Sequence, residues 1–259
     1  MQETEELKDK VVLITGGGKG VGRGISTRFL QSGAHVLICG RVAPETLPEG
    51  GGRAASFFCA DIRKKEQMDA LFAHLASEYG RLDVLVSNAG GTPYVLAANA
   101  SASFHEAIIQ LNLTAPLLLA VRANAIMQLQ EGGGTVLFIG SISAQTPRPG
   151  SATYAAAKAG VVSLVKSLAV EWAPKVRVVS VSPGLIRTEQ SHLHYGDEQS
   201  MAAVAATVPL KRLGYPEDIG DACVFMASAR AAYVSGVDLL VHGGGERPAF
   251  LDAANVNKQ

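Results

Sequence analysis

Cysteine is scarce in this sequence: the three present, Cys39, Cys59 and Cys223, are an odd number, lie far apart and form no C-x-x-C pair. That argues against a disulfide framework and against a zinc site of the usual spacing, and a reducing compartment is the natural setting. Net charge is lacking as well. With 23 Lys and Arg against 23 Asp and Glu, the chain as a whole has no field to recruit nucleic acid or an anionic membrane. The N-terminal ten residues contain no apolar core of the signal-peptide kind, and no stretch reaches about 18 uninterrupted apolar residues. The protein is therefore expected to be soluble and cytoplasmic. No repeat, low-complexity tract or linker divides the chain.

What is present is enough apolar material for one large core: 259 residues, 47% hydrophobic and 18% charged. A single domain is expected, with its core over residues 7–245 and a tail at 246–259 that is loosely ordered at its end. Short β-branched runs at 11–15, 35–39, 56–60, 82–87, 135–139, 176–181 and 237–241 read as buried strands. Segments of helical length at 21–32, 64–79, 101–129, 153–172 and 216–229 lie between most of them. This alternation predicts an α/β, Rossmann-like, doubly wound parallel sheet of seven strands with helices on both faces. Residues 41–55 are the exception, because Pro44, Pro48 and Gly50-Gly51-Gly52 leave little room for a helix. A loop or a single turn is expected there.

The first strand runs straight into Thr15-Gly16-Gly17-Gly18-Lys19-Gly20-Val21-Gly22, after which a helical pattern begins. Glycines let the backbone turn sharply and approach a pyrophosphate closely, and the positive end of the following helix favours its charge. The spacing is TGxxxGxG and not the GxGxxG of the standard dinucleotide fingerprint. At the end of the second strand, where NAD-binding chains place a carboxylate for the ribose hydroxyls, stand Gly40 and Arg41. A guanidinium there suits a 2′-phosphate, and Lys19 adds a second cation. NADP(H) is the favoured cofactor, with NAD(H) the alternative.

In the helical stretch after the fifth strand, Tyr154-Ala-Ala-Ala-Lys158 puts a phenol and an ammonium on one helix face. Bringing a phenol from its free pKa of about 10 to about 7 takes about 4 kcal/mol of preferential stabilisation of the phenolate. Lys158 and a cationic nicotinamide ring are the sources to look for. Ser141 sits beyond the carboxyl end of the fifth strand, where open parallel sheets place ligands. Ser143 is the competing hydroxyl, and the spacing to Tyr154 favours Ser141.

Together these features resemble the short-chain dehydrogenase/reductase family in its single-domain form, over residues 7–244. The resemblance rests on the turn from Thr15 to Gly22, Asp61, Asn88-Ala89-Gly90, Asn112, Ser141, Tyr154 with Lys158, and Pro183-Gly184 followed by Thr188. It implies hydride transfer between NADP(H) and a carbonyl or secondary alcohol of a small molecule such as a ketone, a 3-oxoacyl thioester or a hydroxysteroid. Tyr154 is the implied acid/base, Ser141 the oxygen holder and Lys158 the group that positions the nicotinamide ribose. Asn112 is implied as anchor of a proton-relay water. Cofactor contacts are implied at Asp61 for the adenine, at Ile186 and Thr188 for the nicotinamide carboxamide, and at Ile62, Asn88, Ala89, Gly90, Pro183 and Gly184 elsewhere along the cofactor. A homotetramer, or a dimer, is implied for the assembly, through the helices at 101–129 and 153–172.

Departures from the family pattern are few. Ser87 stands where many relatives carry a second Asn, a change expected to be neutral, and His242 stands where many carry Asp, a change expected to reflect packing. His242-Gly-Gly-Gly245 resembles a lipase oxyanion loop, but no GxSxG elbow accompanies it. His192 and His194 have no carboxylate or cysteine cluster around them, so no metal is expected, and the segment 185–208 reads as a loop over the substrate mouth. A cofactor-binding regulator without catalysis is the rival of another class, and the complete Ser–Tyr–Lys–Asn set argues against it.

Overall fold

The computed structural model describes residues 6–246 and 248–250, so the expected tail at 246–259 falls largely outside the described residues. In chain order the strands are β1 (Val11–Thr15), β2 (His35–Gly40), β3 (Glu49–Gly50), β4 (Arg53–Ala54), β5 (Ser56–Cys59), β6 (Val84–Ser87), β7 (Gly134–Ile139), β8 (Val176–Pro183) and β9 (Asp238–Val241). Seven of them form one parallel sheet in the order β5-β2-β1-β6-β7-β8-β9, while β3 and β4 form a separate antiparallel hairpin. The expected strands and the expected sheet are both present. Successive residues alternate between two cores: Leu13, Leu37, Leu85 and Val136 face one, Ile14, Ile38, Val86 and Leu137 the other. Burial on both faces is why these strands are apolar throughout and not in every second position.

The helices are α1 (Gly20–Gln31), α2 (Lys65–Tyr79), α3 (Ala102–Ile109), α4 (Ala115–Met127), α5 (Ala152–Glu171), α6 (His192–Tyr195), α7 (Glu198–Thr207) and α8 (Pro216–Ala227). α2, α4 and α5 cover one face through Met68, Leu71, Leu75, Leu119, Val161 and Val165. Helices α1 and α8 cover the other through Ile25, Phe29, Ile219 and Cys223. Each such side chain, fully buried, contributes about 1.5–3 kcal/mol, which is what holds the layers on the sheet. The stretches Ala102–Met127 and Ala152–Glu171 are long and apolar enough to cross a membrane by length and composition, yet here they pack on the sheet.

α1 and α8 meet almost backbone to backbone. A Cβ on Gly24 would lie 2.4 Å from the Pro216 carbonyl carbon, and one on Gly220 would lie 2.8 Å from the Gly24 oxygen. Any side chain at either position would push the helices apart, and α1 carries the glycine turn at its start.

Three stretches differ in detail from the sequence expectation. Residues 41–55 hold no helix, as expected, but they fold into the β3–β4 hairpin and not a bare loop. A Cβ on Gly50 would come within 2.8 Å of the Thr27 oxygen, and one on Gly51 within 2.8 Å of the Leu30 oxygen, so the glycines let the hairpin lie flat on α1. Arg23 grips the same connection from α1, donating to the Thr46 carbonyl at 2.8 Å and to its hydroxyl at 3.1 Å. The long helix over 101–129 is interrupted by a π turn, Gln110–Thr114, centred on the fully buried Asn112. The segment 185–208 contains α6 and α7, the latter capped by Asp197 accepting from the Ser200 N–H at 2.8 Å.

Candidate active site

The strand order reverses between β1 and β6, which leaves a crevice beyond their carboxyl ends. Its floor is built by hydrogen bonds between the two strand ends. Thr15 Oγ1 accepts from the N–H groups of Asn88 and Ala89 at 3.0 and 2.9 Å, and Asn88 Nδ2 donates to the Thr15 and Gly16 carbonyls at 2.9 and 3.2 Å. Gly16 has φ +65°, and a Cβ on Gly22 would stand 2.1 Å from the Gly16 oxygen. Both positions need glycine for the chain to turn from β1 into α1. Gly18 and Gly20 add no side chains of their own to the outer side of the turn, where Pro44 and Glu189 approach them, Val21 is partly buried against the α1–α8 core, and Lys19 is exposed.

The expected reacting groups come together next to this floor. Asn112 Nδ2 donates to the Gly91 and Ile108 carbonyls at 3.0 Å each, while its Oδ1 accepts the Gly91 N–H at 2.9 Å. In a π turn the backbone amide five residues on, not four, closes the ring, and the Ile108 carbonyl also accepts from the Asn112 side chain. Gly90 is pinched in the same place: a Cβ there would lie 2.7 Å from Asn112 Oδ1 and 3.5 Å from Lys158 Nζ. Lys158 Nζ donates to the Ile139 carbonyl at 2.7 Å and stands 5.6 Å from the centre of the Tyr154 ring. Ser141 caps the short helical turn Ile142–Ala144, accepting the Ser143 N–H at 3.1 Å, and its hydroxyl bonds the Tyr154 phenol. Of the two candidate serines it is Ser141 that reaches the tyrosine.

Burial dominates the electrostatics. It pushes the Lys158 ammonium down from 10.5 to about 8. It also pushes the Tyr154 phenol above its ordinary value, and the hydrogen bond from Ser141 only partly opposes this. The downward shift expected from the sequence does not come from the protein's own groups, because the burial of the phenol outweighs what opposes it.

The other expected contacts line the same crevice with two qualifications. Asp61 is gripped by Arg63, whose Nη2 lies 2.6 Å from its Oδ2, and this bond above all holds the carboxyl down at about 2, helped by the charge of Arg41. Ile62 buries its side chain in the core, which leaves only its main chain to meet a ligand. Arg41 is exposed at the end of β2. Pro183 ends β8, and Gly184 is forced to be glycine by His242, whose Cβ would lie 2.7 Å from a Cβ there. Ile186 packs into the core against Gly214, and Thr188 donates its N–H to Ser191 Oγ at 2.7 Å. His192 and His194 lie on α6, and at a spacing of two they do not share a helix face. Among the described residues no group of three or more His, Cys, Asp or Glu side chains is placed to hold a metal ion.

A family model described as enoyl-(acyl carrier protein) reductase matches residues 16–246. Human dehydrogenase/reductase SDR family member 4 is 32% identical over 252 residues, covering 94% of this chain and 90% of the relative. The chain belongs to the short-chain dehydrogenase/reductase family. A second relative, the 3-oxoacyl-[acyl-carrier-protein] reductase FabG of Chlamydia trachomatis serovar D, is 34% identical over 245 residues, with 92% and 98% coverage. Among solved structures, the ligand-free aldohexose dehydrogenase of Thermoplasma acidophilum superposes with a TM-score of 0.87 at 27% identity, covering 99% of both chains.

This short-chain dehydrogenase/reductase also has site features that its sequence hid. Asp238 Oδ1 accepts from the Ser180 and Ser182 hydroxyls at 2.7 Å each, and Ser182 Oγ lies 2.1 Å from where a Cβ on Gly140 would stand. These contacts brace the strand end that delivers Ser141. A His105 ring nitrogen bonds the Thr153 hydroxyl, tying α3 to the residue before Tyr154. The buried Ser87 hydroxyl finds no hydrogen-bond partner among the described residues.

Proposed function

We propose that this oxidoreductase moves hydride between NADP(H) and the carbonyl or secondary alcohol carbon of a small molecule, with Tyr154 as the acid/base. The observation that carries this reading is the convergence of Ser141, Tyr154, Lys158 and Asn112 beside a glycine turn. The turn fits a dinucleotide: Gly18 and Gly20 present no side chains, and the Gly20 N–H already donates to an anionic partner, the Glu189 carboxylate, at 3.0 Å. When bound, the nicotinamide supplies or accepts the hydride. In reduction, Ser141 donates a hydrogen bond to the substrate oxygen and Tyr154 passes it a proton. Lys158 holds positive charge under the phenol and faces the ribose side. Asn112 clamps Gly91 and so fixes the wall between turn and reacting groups. Oxidation runs these roles in reverse.

NADP(H) is favoured over NAD(H) because β2 ends without a carboxylate and leaves Arg41 and Lys19 exposed at the phosphate end. With absorbance at the reduced-nicotinamide band as the readout, a panel of ketones, 3-oxoacyl thioesters, hydroxysteroids and sugars should contain turned-over compounds. The named relatives act on substrates as different as 3-oxoacyl groups and aldohexoses. Arg41→Asp should shift the NADPH-to-NADH ratio of kcat/KM by about 10- to 100-fold toward NADH, the worth of one bidentate charged contact. An unchanged ratio would refute the 2′-phosphate role, and tight NADPH binding with no turnover on any substrate would favour a regulator.

The assembly we propose is a homotetramer in a reducing cytoplasm. Leu118 and Val121 on α4, Val170 on α5 and Tyr233 before β9 are exposed apolar side chains on layers otherwise packed, and the three cysteines are free thiols. Light scattering behind size exclusion should give the mass of four chains, and Leu118→Glu with Val121→Glu should lower it. A monomer in the unaltered protein would overturn the proposal.

A further inference from the structure

Glu189 lies 169 positions from Gly20, yet its Oε1 accepts the Gly20 N–H at 3.0 Å. Gly20 opens α1, whose N-cap residue Lys19 makes no side-chain capping bond and whose first turn holds no acidic residue. The amide at this positive helix end is therefore satisfied by a carboxylate brought from the far side of the sheet. The contact involves the segment and not only a side-chain tip. The Thr188 methyl lies 3.7 Å from where a Cβ on Gly20 would stand. The segment itself is pinned by Arg187 N–H donating to the Gly214 oxygen at 2.8 Å and Thr188 N–H to Ser191 Oγ at 2.7 Å.

Resting on the reading that the glycine turn receives the cofactor's pyrophosphate, we propose that Glu189 is a built-in competitor for that pyrophosphate and sets the affinity for NADP(H). A carboxylate and a phosphate oxygen brought to the same N–H are two anions that repel, so they compete for it. The Glu189 carboxylate must leave Gly20 before the cofactor seats. Room for it exists beside the turn, in a cleft of about 540 Å³ bounded by Arg187, His192, Glu198, Tyr215 and Pro216, with Glu189 on its wall. Cofactor affinity is thus lowered by the fraction of molecules in which Glu189 holds the amide. Because Glu189 sits on the segment that leads into α6 and α7, its release also frees that segment's contact with the turn.

The test compares the unaltered protein with Glu189→Gln and Glu189→Ala, titrating NADPH by its fluorescence and melting each cofactor-free protein. Both variants should bind NADPH about 5- to 20-fold more tightly, as expected when a charged hydrogen bond stops competing. Their cofactor-free melting temperatures should fall, because the helix end loses its anion. Opposite signs are the signature, since a purely structural role would weaken binding and stability together and overturn the proposal. Adenosine 2′-phosphate, which carries no pyrophosphate, should bind all three proteins alike, and a parallel change would also overturn it. Equal NADPH affinities across the three would defeat the competition while leaving the cofactor reading intact. Absence of NADPH binding in all three would defeat the cofactor reading and the competition with it.

Discussion

Tyr154→Phe is expected to lower kcat by a factor on the order of 10³, the range of a lost general acid, with NADPH affinity kept within about twofold. The ring remains, so packing on α5 is preserved, and the hydrogen bond given up among the described residues is the one with Ser141. The pH dependence sharpens the test. Burial raises the phenol's pKa, so in the cofactor-free protein Tyr154 is protonated at neutral pH and ready to act as an acid. Reduction should then be nearly flat with pH around neutrality. Oxidation needs the phenolate and should climb as the pH rises. Steady-state rates in both directions across pH would show this, and a Phe variant retaining more than about a tenth of the activity would remove Tyr154 from its role.

Lys158→Met should pull stability and activity in opposite directions. Burial holds the folded-state ammonium at about 8 against 10.5 in the unfolded chain. Between those values the unfolded chain keeps a proton that the folded chain has lost, so the stability of the unaltered protein rises with pH there. Below about 8 both states carry the charge, and the fold bears the full burial cost of about 3 kcal/mol. A methionine of similar shape removes that cost but leaves the Ile139 carbonyl without its donor, a loss of about 1 kcal/mol. The variant should therefore be about 1–2 kcal/mol more stable at pH 7, and its advantage should vanish towards pH 10.5. Its kcat should fall by about 100-fold or more, because the positive charge under the phenol is gone. Denaturant melts at several pH values report the first effect and turnover the second. A variant less stable than the unaltered protein at pH 7 would contradict the account.

The sheet was legible because its strands are buried on both faces and bounded by glycine or polar residues, as at 11–15 and 35–39. Ser141 and the Tyr154–Lys158 pair were legible because they sit at a strand end and on one helix face, and Asn112 through the family resemblance. What stayed hidden depends on contacts that no local pattern encodes. The two-residue strands of the β3–β4 hairpin are too short to show a period. The π turn is invisible to a helical wheel, and only the amide chemistry of Asn112 inside an apolar helix hints at it. The direction of the Tyr154 shift was missed because the sequence shows Lys158 near the phenol but not how deeply the phenol is buried. Glu189 and Asp238 are ordinary acids in sequence, and their partners lie 169 and 58 residues away.

The π turn at Gln110–Thr114 amounts to one residue more than a regular helix would use for the same rise. It has the character of an insertion retained in the middle of an otherwise uninterrupted helix. Deleting a single residue there would mend the helix and improve its local geometry. It would also rotate α3 relative to α4 and carry Asn112 off Gly91. Helical regularity and the Asn112–Gly91 contact therefore oppose each other at this point, and the irregular form is the one that keeps the contact.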